Sequence, residues 1–139
     1  MSRNYDNSSR AEQAARTAEA IVEATERLLA SATIGSVTLQ TIANRAGVTV
    51  QTVIRHMGSR EGCMMAARDR IAARIVEQRG HTAPGDFKGA IREVVNHYEA
   101  EGRLVLNLLA QEGAGDAFAD DAALEGRAFH RAWVERCFE

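Results

Sequence analysis

Proline is almost missing from this chain: among 139 residues there is one, Pro84. Nothing therefore interrupts long helices, and the composition leans all-α. Cysteine is scarce too, with Cys63 and Cys137 far apart in sequence. Two distant thiols make no disulfide framework and fit a reduced, cytoplasmic setting, with a Cys63–Cys137 bridge as the alternative. Apolar runs are short. The N-terminal stretch contains none, and nowhere does one approach the roughly 20 residues that span a bilayer, so neither a secretory leader nor a membrane segment is expected. His56, His81, His97 and His130 have no metal-ligand spacing among themselves or with the cysteines. Glu99 and Glu101 stand two apart and share no helical face. There is no Ser/His/Asp arrangement and no glycine-rich phosphate loop. The expectation is a protein without metal, cofactor or catalytic centre.

What is present is an ordinary globular balance, 45% hydrophobic and 26% charged. A chain of this length buries about two thirds of its unfolded surface and needs no staple. The net charge of −2 hides an asymmetry: residues 1–60 hold seven Arg against five acids, and residues 61–139 hold ten basic against fourteen acidic groups. A mildly basic head on an acidic body is compatible with nucleic-acid binding by the head.

Periodicity divides the chain into helices. Residues 1–15 begin with a polar stretch and read as a disordered arm, where Arg3 and Arg10, followed by Arg16, would add sequence-blind attraction to phosphates. From Arg16 to Ser31, the residues Ala18, Ile21, Val22, Thr25, Leu28 and Leu29 form one apolar stripe. A short helix follows Thr38, with Leu39, Ile42, Ala43 and Ala46 on one face and Gly47 just past its end. Thr49 caps a third helix, and Val48 with Val53 makes a hydrophobic staple. Ser59 caps a fourth that runs to about Gln78 with Cys63, Ala67, Ile71 and Ile75 inward. Beyond a loop at Gly80–Gly85, a fifth helix carries Phe87, Ile91, Val94, Val95 and Tyr98. A sixth, short one carries Leu104, Val105, Leu108 and Leu109. After Gly113-Ala114-Gly115 a seventh carries Ala122, Gly126, Phe129, Trp133 and Cys137.

The informative piece is Thr38–Glu61: two short helices around a glycine-containing turn, the helix-turn-helix arrangement. Ile42, Val48, Val53 and Met57 would lock the crossing angle, so that the third helix is presented rigidly to a major groove. Its outward face then carries Val50, Gln51, Thr52, Ile54, Arg55 and His56. Gln51 can pair bidentately with adenine, and Val50 or Ile54 can pack on a thymine methyl. Thr52, Arg55 and His56 reach phosphates or base edges. Thr38 and Gln40 at the start of the second helix, and Ser59 and Arg60 at the start of the fourth, are placed for phosphates.

The run Val37-Thr38-Leu39-Gln40-Thr41-Ile42-Ala43-Asn44-Arg45-Ala46-Gly47-Val48-Thr49 resembles the signature of the TetR family of transcription regulators. So do Thr52-Val53, His56, Ser59-Arg60-Glu61 and the preceding Leu28-Leu29. The resemblance covers about residues 16–70. It implies an all-α protein with a DNA-binding head over 16–60 and a helical ligand-binding and dimerisation body over 61–139. Against the family layout that body is incomplete, lacking two further helices that pair with a second subunit. Ile54 stands where members usually carry a backbone-contacting Tyr, Met57 where Phe is frequent, and Gly58 where Pro or another turn residue is frequent; Arg55 is then the residue to replace the missing contact.

The resemblance implies a homodimeric repressor on a palindromic double-stranded operator, released when a small effector enters the body. Tyr98, Asn107, Gln111, Phe118, Phe129, His130 and Trp133 are the candidates to line that effector pocket, an apolar cavity with a few polar groups being the usual ligand site. The competing reading is a helical binding module that has lost DNA affinity and acts through a protein or small-molecule partner.

Overall fold

A computed structural model describes residues 2–139, with side chains from Asp6 onward. Met1 and the side chain of Arg3, both assigned to the arm, lie outside the described residues. Among the described residues there are six α-helices and no strand: α1 (Ser2–Ser31), α2 (Leu39–Ala46), α3 (Val50–Met57), α4 (Arg60–Gln78), α5 (Phe87–Leu109) and α6 (Ala117–Phe138), with one 3-10 turn at Ile34–Ser36. None of the helices is long and apolar enough to cross a membrane.

The axis of the molecule is α1, against which α2, α4 and α5 all pack. Its stripe is inward as expected, with Ile21, Thr25 and Leu29 fully buried. Thr25 is the polar member, and its Oγ1 donates 2.8 Å to the Ile21 carbonyl, so burial leaves the hydroxyl satisfied. One core runs without a break from the head (Ile34, Val37, Ile42, Val53) through α4 (Cys63, Ala67, Ile71) to Leu104 of α5 and Ala119 of α6. A smaller cluster around Ala90, Trp133 and Cys137 joins α5 to α6. Both cysteines are free and buried, so the alternative of a bridge between them falls away.

The helix count differs from the periodic reading in one place. The expected fifth and sixth helices are one, α5, continuous through Gly102. A single glycine inside a helix costs about 1 kcal/mol against alanine, and Glu101 and Leu104 on either side of it are buried. Packing therefore carries the helix across. The stretch read as a disordered arm is written into α1 from Ser2. Ala11, Glu12, Gln13, Ala14 and Ala15 are strong helix formers. Residues 6–16 are all exposed, so local propensity rather than burial sustains them.

Head and body are fastened by polar side chains reaching across the chain. Asn107 Nδ2 of α5 donates to the Leu29 and Ala32 carbonyls at 2.7 and 2.8 Å. These are among the last carbonyls of α1, which have no partner within their own helix. Gln111 Oε1 accepts from the Ile34 amide at 2.7 Å. Arg74 of α4 joins Glu101 of α5 at 2.7 Å and Glu26 of α1 at 3.2 Å.

Candidate nucleic-acid interface and effector cavity

The geometry of the head follows from its caps. Thr38 Oγ1 accepts from the Thr41 amide while Thr41 Oγ1 accepts from the Thr38 amide, a reciprocal capping box at the start of α2. Gly47 closes α2 at φ 71°, a left-handed conformation that a β-carbon disfavours. Thr49 caps α3 by accepting from the Thr52 amide, and Ser59 caps α4 by accepting from Gly62. At the α3–α4 corner a β-carbon on Gly62 would lie 2.0 Å from the Met57 carbonyl oxygen, so only glycine lets α4 start this close to the end of α3.

These constraints fix which side of α3 faces out. Val53 is fully buried, and Met57, Val48 and Val50 pack on the core. Gln51, Ile54 and Arg55 are exposed, three and four residues apart and hence on one face. Thr52 and His56 flank it half-buried, and the Thr52 hydroxyl lies 3.0 Å from that of Thr49. Val50, expected outward, is drawn partly into the core by its place in the first turn, so Ile54 is the apolar residue left for a thymine methyl. On α2, Gln40 is exposed and pairs with Asn44 at 2.8 Å. Thr38 is exposed beside it.

Charge agrees with this face. Between Glu26 and Glu61 the sequence contains no acidic residue, while Arg27, Arg45, Arg55 and Arg60 are basic. Arg45 and Arg55 are exposed and, among the described residues, make no ion pair within 4.0 Å. This acid-free window is a local signal that the chain's net charge conceals.

Arg60 is placed differently from the sequence expectation. Its Nε donates to the Val37 carbonyl and its second terminal nitrogen to that of Ile34 at 2.8 Å. The guanidinium thus holds the 3-10 turn against α4 instead of standing free for a phosphate. Arg60→Ala takes the side-chain donor from the Val37 carbonyl, while the Ile34 carbonyl keeps the Val37 amide, and is expected to cost about 1–3 kcal/mol. A thermal melt should register that loss, while the salt dependence of DNA binding stays unchanged. A shallower salt slope at unchanged stability would return Arg60 to the phosphate contacts.

In the body, α4 and α6 hardly touch, and α5 bridges them. Between the three lies a cavity of about 580 Å³, within the range of small-molecule sites. Of the candidates for its wall, Tyr98, Phe118, Phe129 and His130 line it; Asn107, Gln111 and Trp133 do not. Asn107 and Gln111 turn instead to the backbone ends of α1 and the 3-10 turn. Trp133 is 5% exposed, and its Nε1 donates to the Arg79 carbonyl at 2.9 Å and to Glu93 at 3.0 Å.

Arg79 and His97, which periodicity did not single out, line the cavity too. Arg79 is 2% exposed. Its Cζ stands 4.0 Å from the centre of the Trp133 ring, and it meets His130 Nδ1 at 2.9 Å. Burial pulls the Arg79 pKa down, against the nearby Tyr98, Glu93 and Cys137. Burial, and then the charge of Arg79, lower the pKa of His130. The same two causes lower that of His97, with Glu101 opposing and His130 adding to the depression. Both shifts favour the neutral imidazole. With Nδ1 of His130 accepting from the guanidinium, its Nε2 carries the proton.

Residues 21–67 match the family model described as "Bacterial regulatory proteins, tetR family". No curated protein and no solved structure matches the chain. The matched segment runs from the buried Ile21 of α1 through α2 and α3 to Ala67 of α4, which is the capped and pinned unit described above. Over residues 21–67 the chain carries the helix-turn-helix head of tetR-family DNA-binding transcriptional regulators.

Proposed function

We propose that this regulator is a repressor, working in the cytoplasm as a homodimer on a palindromic operator and leaving it when a small molecule fills the α4–α5–α6 cavity. The observation that carries the DNA side is the exposed trio Gln51, Ile54 and Arg55 on a helix whose angle is set by buried Val53 and by caps at both ends. Two such helices related by a two-fold axis would enter successive major grooves about one helical turn apart. The capping box leaves the Leu39 and Gln40 amides at the start of α2 for a phosphate.

The release side is supported by a shared helix. Leu104 and Leu108 of α5 face the cavity, while Asn107 and Gln111 of the same helix hold the end of α1 and the 3-10 turn that precedes α2. A ligand that shifts α5 shifts those anchors, and with them the spacing of the heads. It acts only as far as it binds the two arrangements with different affinity.

The test is a fluorescence anisotropy titration of the chain against duplexes tiled across its own upstream DNA, repeated at several salt concentrations. Expected is one inverted repeat bound in the range of about 10⁻⁸–10⁻¹¹ M, with affinity falling steeply as salt rises. Absence of any sequence-preferring, salt-dependent binding would remove the repressor reading and favour a module acting through another partner.

A further inference from the structure

We propose that the α4–α5–α6 cavity takes an amphipathic anion, an alkyl chain ending in a carboxylate that is received by Arg79. This rests on the effector reading above and names the class of ligand.

Buried arginines normally come with an acid, because a desolvated charge is costly unless paired. Arg79 has none. Among the described residues, no carboxylate oxygen lies within 4.0 Å of it. Glu93, the acid that acts on it electrostatically, spends its oxygens elsewhere: Oε1 accepts from the His81 and Thr82 amides and Oε2 from Trp133. The Arg79 Nε is buried with no hydrogen-bond partner at all. The guanidinium is held by the Trp133 face, by Phe129 with Cζ 5.7 Å from its ring centre, and by neutral His130. These contacts steady a cation without neutralising it, so a counter-charge is missing from a site whose geometry is already built.

The walls specify the rest of the ligand. Ile71, Ile75, Leu104, Leu108 and Phe118 supply an apolar channel, suited to an alkyl chain. At the polar end, Tyr98 and the Nε2 hydrogen of His130 are donors, and a carboxylate has lone pairs for donors beyond the arginine. The cavity is also lined by Arg68, Arg127 and Arg131. Arg68 is matched by Glu125 and Arg127 by Glu112, which leaves Arg131 without an ion pair among the described residues. That balance favours entry of an anion over a cation.

Trp133 is the chain's single tryptophan and lies against Arg79, so its emission reports on the headgroup site without DNA present. Three ligands of one chain length, dodecanoate, methyl dodecanoate and dodecylamine, are titrated below their micellar concentrations into the whole chain and into Arg79→Met and Arg79→Lys. Expected is a Trp133 response to dodecanoate with affinity at least tenfold tighter than for the ester, and no saturable response to the amine. Arg79→Met should bring the acid down to the level of the ester without changing the ester, whereas a general loss of packing would weaken both. Arg79→Lys should keep part of the preference. If Arg79→Met does not fold, the acid–ester ratio on the unaltered chain decides alone.

Equal binding of acid and ester, preference for the amine, or no saturable binding of any of the three overturns the proposal. Adding each ligand to the DNA complex separates the two readings. Release of DNA by acid and ester alike keeps the effector reading and removes the anion. A tenfold acid preference without release keeps the anion and removes the effector reading.

Discussion

Replacing Gln51 and Arg55 by alanine should abolish operator preference while leaving the fold intact. Both side chains are exposed, and exposed substitutions of this kind change stability by no more than about 0.5 kcal/mol. The two losses differ in character. Gln51 is the proposed base reader, and a bidentate contact to adenine would discriminate by about 1–3 kcal/mol. On a two-fold dimer the contact is made twice, so Gln51→Ala is expected to weaken specific binding by about thirtyfold or more. Arg55 is the proposed phosphate contact. Its loss should weaken specific and non-specific DNA nearly alike and flatten the salt slope by about one unit per subunit. Anisotropy titrations of the single and double variants, at two salt concentrations and on both specific and scrambled duplexes, separate these signatures. If Gln51→Ala weakened both duplexes equally, Gln51 would not be reading a base.

Ile42→Ala should act in the opposite sense, on stability first and on DNA through it. Ile42 is 0% exposed at the meeting of α1, α2 and α3. Truncations of this kind cost about 2–5 kcal/mol, the spread depending on how far the cavity collapses. Small domains have about 5–15 kcal/mol in total, so the variant should melt many degrees lower. Its neighbour in kind, Ile54, is 38% exposed on the outer face of α3. Ile54→Ala should leave the melt in place and weaken DNA binding only modestly. Differential scanning calorimetry of the pair checks this. A similar melting temperature for the two variants would mean that the helix-turn-helix is not held by the core assigned to it.

Much of the head was legible in the sequence because its signals are local. Thr38, Thr49 and Ser59 are short hydroxyl side chains one step before apolar periodic runs, and each is a cap in the structure. Gly47 stands where a chain must turn with positive φ. The inward set Ile42, Val53 and Met57 follows from helical period alone, and fixing it fixes which residues of α3 remain outside.

The misplacements around the cavity and at Arg60 are long-range. A helical repeat says that Asn107 and Gln111 share a face. It does not say that this face meets the spent carbonyls of α1 and the amide of Ile34, more than seventy residues away in sequence. Polar side chains near an apolar stripe therefore read as a ligand site when they are helix-end partners. Trp133 was misplaced for the same reason, its indole being occupied by Arg79 and Glu93. Conversely, Arg79 directly before Gly80 looks like a basic residue at a helix end, complementing the dipole. Only the aromatic residues of α6, some fifty positions later, make it the buried charge of the cavity. Arg60 adds the same lesson at the head: its position marks a helix start, and its partners lie in the preceding turn.

Whether α3 is the DNA-reading surface is decided by a map of backbone amide chemical shifts on adding the duplex that carries the bound inverted repeat. The largest changes are expected on Gln51, Thr52, Ile54 and Arg55 of α3, with smaller ones at Leu39 and Gln40 at the start of α2, and α6 should be silent. Changes concentrated on α5 or α6, with α3 unmoved, would contradict this assignment.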